Sequence, residues 1–597
     1  MKKVILLLII CFSFTSDEIL AKNICLSDNN ESKTSTEKVS QEDNTTYYIS
    51  KSEYRISVID PTPKNNPFGA YYPGLRAGNQ LVIYTPAYGE RTGTNEFGTE
   101  AIVQNDIVSE LTGSDSLIPA NGYVISGHGN AKKWINKSIT EGAIIKVNSE
   151  KNIIESTITP ESYTYKARQK IENVSKILTE CDQIKKSIQI KEAKKLLRQS
   201  AQKLDKANSY ITKKQYDKAK DTAELACQLA DNALYYLIPP KKDELHGIWL
   251  RPVEKTPQDV VNTLNRLQNS GINNIFLETY YQGYTIFPSK TLESYGVLAQ
   301  RKEFQGWDPL KVWTEEAHKR GIKLHVWFQT YYTGNEDISK NPKHVISAHP
   351  DWANIQKRYY NAGKPMPSVS EHNGYFLDPA NPEVQKYLSE LIFEIANNYC
   401  IDGLNIDYIR YPASLPKKFP MYNDSTWGYS AYARKEFCQL YGIDPANITP
   451  DQPMWQNWVY YRQNKVTSFV ANLKTLTAGK NIMISTVIFP KLEDTSVLKL
   501  QDWGVWGCNK YIDAVTPLIM GSDKTLVENN VNEIKNLANG NLLIFTGLFA
   551  PFTAGSPTDL LYQVESARKS GAAGVVIFDY AHLNDEFVKA LKTGAFR

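Results

Sequence analysis

The stretch DPANPEVQKYLSELIFEIANNYCIDGLNIDYIRYP (378–412) holds one complete helix-to-strand unit, and its punctuation decides the fold of the C-terminal half. Asn381-Pro382 sets an N-cap before a proline at the first helical position. Val384, Leu388, Leu391, Ile392 and Ile395 then recur at helical spacing and make one buried stripe. The run DGLNIDYI (402–409) follows, nearly continuous in apolar residues, as a strand buried on both faces should be. Outward from this unit the same alternation repeats. Further strand candidates are HGIWLRPV (246–253), NNIFLETY (273–280), IKLHVWF (322–328), IMISTVIF (482–489), IDAVTPLIM (512–520), NLLIFTGLF (541–549) and AGVVIFDY (573–580). Thr256-Pro257, Asp308-Pro309 and Ser556-Pro557 repeat the cap, and Gly271, Gly321 and Gly571 end helices just before a strand. Eight such units predict a (β/α)8 TIM barrel over 244–597. An open doubly wound sheet is the rival, but no GxGxxG follows the first strand.

The N-terminal part reads differently. Lys2 and Lys3 precede an apolar run, Val4 to Phe14, that is shorter than the roughly 20 residues a bilayer requires. With Ile19-Leu20-Ala21 it predicts a secretory signal over 1–21, cut after Ala21, with an uncleaved anchor as the alternative. The polar residues 22–46 predict a disordered tether. Short β-type runs separated by turn residues predict a β-rich module over 47–158. Residues 159–240 predict two or three antiparallel helices, because Ala219, Ala223, Ala226, Ala230 and Ala233 share one helix face as a small-residue seam. The scattered cysteines include no CxxC, which argues against structural zinc, and a Cys181–Cys227 bridge is conceivable but undetermined.

Composition narrows the function. With 68 basic and 64 acidic residues the formal charge is +4, without the dense basic stripe of a nucleic-acid binder. Aromatics are abundant at 11%, which suits sugar rings, although most aromatics fill cores. After signal cleavage no segment is apolar enough for stable membrane insertion. No metal-ligand cluster, phosphate loop or nucleophile elbow is present, so no cofactor is expected.

Barrel enzymes work at the C-terminal ends of their strands. The polar and aromatic residues expected there are Trp249 and Arg251; Glu278, Tyr280, Tyr281 and Tyr284; His325, Trp327 and Gln329; Asn405, Asp407 and Arg410; Asp523; and Asp579 with Tyr580. Carboxylates among aromatics at a barrel mouth point to glycosidic bond cleavage, which uses one carboxylate as nucleophile or base and another as acid. Asp407 is the first candidate, with Glu278, Asp579 and Asp523 competing for the second role. Trp249, Arg251, Tyr280, Tyr284, His325, Trp327, Asn405, Arg410 and Tyr580 are candidate substrate-binding residues. The structural alternatives are an Asp407–Arg410 clamp and a satisfied core histidine at 325, while Asp378 is expected to order its own loop.

The run 378–412 resembles the glycosyl-hydrolase-like family 10 of bacterial exported proteins. HGIWLRP (246–252), QGYTIFPS (282–289), AHKRGIKLHVWF (317–328) and DAVTPLIM (513–520) fit that family in the same order, over roughly 244–590. The resemblance implies a barrel like that of retaining glycosidases, with the strand-4 Asp407 as nucleophile. It does not supply the acid: related glycosidases often carry it on strand 5, where this chain reads STVIFP (485–490), and family members often have a non-acidic residue at the place of Glu278. The phrases 81–103 and 118–129 resemble, in part, the β-rich portion of phosphodiester-glycosidase-like proteins, but His128 alone makes no catalytic set. Two functions are carried forward. One is an exported glycoside hydrolase acting on a cell-wall or extracellular polysaccharide, periplasmic, extracellular or envelope-associated. The other is a non-catalytic carbohydrate-binding or envelope-structural barrel, favoured by the missing strand-5 acid.

Overall fold

The computed structural model describes residues 34–35, 50–62, 79–94, 98–113, 115–182, 188–417, 419–538, 540–553 and 555–597. The expected signal 1–21 lies outside the described residues. Of the expected tether only Thr34–Ser35 is described, paired with Ser52 and Lys51. The β-type runs that follow form a largely antiparallel sheet that includes Ser50–Arg55, Thr99–Gln104, Ile107–Thr112, Gly122–Gly127, Ile144–Asn148 and Ile153–Ile158. This module also holds a helix absent from the β-rich expectation, α1 (Gly129–Ser138). Its Ala131, Trp134 and Ile135 recur at helical spacing and pack into the sheet's core. His128 stands at its start.

Three helices come next: α2 (Pro160–Asp182), α3 (Ile188–Thr212) and α4 (Tyr216–Leu237). The alanine seam of α4 is buried along its length, and Ser200 donates to the Ala226 carbonyl at 2.7 Å, a contact that only small residues allow. Cys227 is a free thiol. Lys170 pairs with Asp231 at 2.6 Å between α2 and α4.

The eight apolar runs form eight parallel strands: β1 (Leu245–Leu250), β2 (Asn274–Tyr281), β3 (Lys323–Gln329), β4 (Gly403–Asp407), β5 (Met483–Ile488), β6 (Ala514–Ile519), β7 (Leu543–Leu548) and β8 (Gly574–Ile577). Each pairs with its sequence neighbours, and β1 pairs with both β2 and β8, so the barrel is closed. Thr256, Asp308, Asn381 and Ser556 cap α5 (Pro257–Asn269), α6 (Pro309–Lys319), α7 (Pro382–Asn398) and α8 (Pro557–Lys569), each with proline in the first turn. Gly271, after α5, has φ +80°, and a Cβ there would meet the Phe596 carbonyl oxygen at 2.1 Å, so only glycine fits. Outward-facing strand residues and helix stripes share one large apolar core. Trp249, Phe276, Trp327, Val487, Phe545 and Phe578 fill the interior.

The three parts touch. Glu141 of the sheet module lies 3.6 Å from Lys166 of α2, and Thr558 of α8 donates to Asp231 of α4 at 3.1 Å. Tyr235 of α4 enters the barrel's outer core. A Cβ on Gly113, just past the end of the sheet strand Ile107–Thr112, would meet Ser522 Oγ just past β6 at 3.6 Å.

One buried ion pair locks the entry to the barrel. Arg568 of α8 donates to Glu244 at 2.6 Å and to the Pro239 carbonyl at 2.8 Å. Burial alone would raise the Glu244 carboxyl, but His246 and Arg568 more than offset it and hold it below its ordinary range. Arg568→Met leaves that buried carboxylate with only His246 and the more distant Lys241 beside it, a loss of about 3–5 kcal/mol, part of which Glu244→Gln in the same chain should recover. Urea unfolding of the single and double variants checks this, and a double variant no more stable than the single one would refute it. Lys241 and Lys242 are exposed between α4 and β1. Trypsin should cut there first, leaving fragments that co-elute because Tyr235 anchors α4 to the barrel. Resistance at both lysines would count against a domain boundary.

Candidate active site

The two-residue period of a strand turns alternate side chains inward. On β4 it sends Asn405 and Asp407 to the interior, one level apart. Asn405 is fully buried. Its Oδ1 accepts from Trp249 Nε1 at 3.3 Å, and its Nδ2 donates to Ser485 Oγ at 2.9 Å and Thr516 Oγ1 at 3.1 Å. It ties β4 to β1, β5 and β6. Above this floor lies a notch lined by Trp249, Arg251, Trp327, Gln329, Asp407 and Arg410. Tyr408, Val487, Phe489, Leu518 and Phe578 complete its lining. Its free volume is about 40 Å³, room for a few waters or one reacting group.

Asp407 is the only carboxylate among the described residues lining the notch. Its Oδ2 accepts from Trp327 Nε1 at 2.9 Å and its Oδ1 from the Tyr408 backbone N–H at 2.7 Å. Part of the carboxylate stays open to the notch, yet the surrounding rings strip it of most water. Burial therefore pushes its pKa to about 6, against the opposing pull of those two hydrogen bonds and the Arg410 charge, while Glu278 adds a small push upward.

The neighbouring charges are paired off. Glu278 is fully buried and bound in a two-pronged ion pair with Arg251, whose Nη2 lies 3.0 Å from Oε1. Gln329 Nε2 donates to the same Oε1 at 2.8 Å. Both oxygens of Glu278 are therefore engaged. Arg410 does not clamp Asp407; its fork holds Glu371 at 2.7 and 3.1 Å. Burial would raise Glu371, but Arg410, with Lys499 and the Ala413 N–H, holds it at about 2. Lys499 stands 4.3 Å from the Phe489 ring centre, and burial and the like charge of Arg410 lower it to about 8.

Several expected site residues lie elsewhere. Tyr280 shares the two-residue phase of Glu278, but a register shift between them turns it outward, where it stacks on Phe328 and meets Tyr387. His325 faces inward two levels below the mouth, stacked on Phe276 and bonded to Asn274 at 2.9 Å, and burial lowers its pKa to about 4. It is a neutral core histidine. Asn405 lies beneath the notch and its amide is fully engaged. Asp523 caps the helix Lys524–Leu537 at the contact with the sheet module. Asp579 pairs with His582 at 2.5 Å and does not line the notch. Tyr580 packs on the outer core beneath Arg266. Tyr284 bonds to Glu336 at 2.7 Å in a separate groove. Asp378 accepts from Ser430 and from the Ala380 N–H within its own loop, and burial raises it to about 6.

Among the residues missed from sequence, Phe489 directly follows β5 and was legible as a strand-end position. Glu371 was not, because its loop carries no periodic signal and meets Arg410 only in three dimensions. Among the described residues, no group of three His, Cys, Asp or Glu side chains is placed to hold a metal ion, and no helix is long and apolar enough to cross a membrane.

The family model Glycosyl hydrolase-like 10 matches residues 243–548, just over half of the chain and the barrel as far as β7. The chain belongs to this family. Glycosyl hydrolase DigH of Escherichia coli K12 is 30% identical over 169 residues, 26% of this chain and 35% of its own length. Glycosyl hydrolase YngK of Bacillus subtilis is 26% identical over 196 residues, 30% of this chain and 35% of its own. The chain thus spans about a third of the length of these curated relatives. Among solved structures, the PgaB (BpsB) glycoside hydrolase domain from Bordetella bronchiseptica aligns with a TM-score of 0.43 at 13% identity, over 59% of this chain and 99% of that one.

Within this Glycosyl hydrolase-like 10 barrel, the Trp327 N–H stabilises the charged form of Asp407. Trp327→Phe should therefore raise the Asp407 pKa above about 6, by roughly one unit. Carboxyl titration by NMR checks this without any substrate. An unchanged or lowered value would show that the indole does not act on the carboxylate.

Proposed function

We propose that this protein is an exported glycoside hydrolase that cleaves a cell-wall or extracellular polysaccharide, with Asp407 as nucleophile or base. One observation carries the reading: at the end of β4, a carboxylate without an ion pair stands in an aromatic-walled notch while both neighbouring arginines are engaged by other acids. An ionised carboxylate in such a setting stabilises an oxocarbenium-like centre. Family membership supports glycosidase chemistry. The segment 1–21 supports export, and a relative named S-layer-related protein from Niallia circulans, 24% identical over 257 residues, is consistent with the envelope.

The proton donor is the open part of the mechanism. Of the expected acids, Glu278 comes nearest, but Arg251 and Gln329 occupy it, so we assign it to holding Arg251 at the notch. That Asp407 is the one carboxylate among the described residues lining the notch also favours a second reading, a sugar-binding barrel without turnover. Asp407→Asn separates the two. The substitution relieves the buried charge, roughly 3 kcal/mol at neutral pH from a shift of 3.8 to about 6, but it turns an amide N–H toward one of two N–H donors, at roughly 1–3 kcal/mol. These offset, so the variant should melt within a few degrees of the parent and lose hydrolysis of cell-wall or exopolysaccharide fragments. Parental turnover in a normally melting variant would exclude Asp407 as the catalytic carboxylate. A parent that binds fragments but never cleaves them would establish the binding barrel.

The pH profile assigns the role. A nucleophile or base must be ionised, so kcat/KM should rise with pH through about 6, and a fall at higher pH reports deprotonation of the proton donor. If Asp407 is instead the proton donor, kcat/KM falls as pH rises through the same value.

A further inference from the structure

A second cavity, about 290 Å³, opens beside the notch on the β2–β3 side. Its walls come from the segments that follow these two strands: Gln282 and Tyr284 just past β2, Arg301 before α6, and Gly334, Glu336 and Asn341 past β3. Topology therefore places it on the C-terminal face with Asp407. Its size is close to the lower end for small-molecule sites, about 300 Å³, whereas the notch is far too small for a sugar ring.

The groove is polar and built. Tyr284 Oη donates to Glu336 at 2.7 Å and accepts from Asn341 Nδ2 at 2.8 Å. Asn341 also reaches the other Glu336 oxygen at 3.2 Å. Gly334 (φ +88°) packs so closely on Gln282 that a Cβ would meet its Cβ at 2.8 Å, which fixes the wall. Two links join groove to notch. The Gln282 N–H donates to Gln329 Oε1 at 3.0 Å, and Gln329 lines the notch. The Tyr281 ring lies 3.9 Å from the Arg301 guanidinium and 5.8 Å from that of Arg251, one residue from each cavity. Two cations, Arg301 and Lys302, balance two carboxylates, Glu303 and Glu336, so the lining favours uncharged ligands rich in hydroxyl or amide groups.

We propose that this groove is an outlying glycan subsite, holding uncharged sugar units of the polysaccharide chain whose scissile bond lies over Asp407. The inference rests on the glycosidase reading. Planar amide and carboxylate groups pair with vicinal hydroxyls, and a groove set to the side of the notch is reached only by chains that extend past the sugar over Asp407.

The test uses the full chain carrying Asp407→Asn, so that bound glycan is not consumed, and two probes: short and long size-fractionated pools of neutral cell-wall glycan and exopolysaccharide fragments. Adding Glu336→Gln or Asn341→Ala should weaken binding of the long pool about tenfold, with little effect on the short pool and an unchanged melting temperature. If Asn341→Ala melts early, the isosteric Glu336→Gln decides. Long-pool affinity unchanged by Glu336→Gln, or both pools weakened equally, overturns the subsite. If in that case the parent still cleaves and Asp407→Asn does not, the groove falls and the glycosidase stands. Length-dependent binding without turnover in the parent keeps the groove and removes the glycosidase, whereas a parent that neither binds nor cleaves either pool removes both.

Discussion

One buried amide organises the barrel mouth. Asn405 accepts from the β1 tryptophan and donates to side chains of β5 and β6, so four strands meet at a single buried amide. An unpaired amide there would cost on the order of 1–3 kcal/mol, which sets the relative register of these strands at that level. Trp249 is thereby fixed as the floor, and Trp327 and Asp407 stand directly above it. The carboxylate owes its position to a residue beneath the notch.

Charge is arranged around Asp407 by exclusion. Arg251 and Arg410 both reach the notch, and either can neutralise a nearby acid. Each is instead committed elsewhere, Arg251 to Glu278 and Arg410 to Glu371. Asp407 feels Arg410 only across space, so burial dominates and its carboxyl sits near 6 instead of in the ordinary range. A direct clamp would have pulled it the other way, as it does Glu371, held at about 2. The same guanidinium thus separates two buried acids by several pKa units, through contact with one and not the other.

The barrel was legible because its signals are local: apolar runs, caps and terminal glycines all lie within a few residues of what they specify. Asp407 was legible for the same reason, as a polar residue ending an apolar strand. The partners of the site were not. A register shift at β2 reverses the phase that would have put Tyr280 beside Glu278. Inward direction alone does not reveal depth, so of His325 and Trp327, both inward on β3, only Trp327, one level higher, reaches the notch. Glu371 joins Arg410 across 39 residues of chain through a loop with no period. In the sheet module, the spacing of Ala131, Trp134 and Ile135 did announce α1, but the surrounding β-type runs masked it.

The mouth is also lopsided, and the asymmetry bears on how a chain can lie across it. On the β5–β8 side, Phe489, Leu518 and Phe578 face the notch, with Phe549 stacked behind Phe578 at 4.9 Å. On the β2–β3 side, beyond the Trp327 ring, the surface is amide, guanidinium and carboxylate, from Gln329 through Gln282 to Asn341. A pyranose presents C–H faces and a hydroxyl rim, so the apolar wall can only pack its face and the polar wall can only bind its rim. Both demands are met together when the sugar over Asp407 leans on the phenylalanines and the chain leaves toward β2 and β3. Exit the opposite way would strand hydroxyls against apolar rings at the cost of their water. The polarity of the barrel mouth would therefore give a polysaccharide bound as proposed a direction, independent of which sugar it contains.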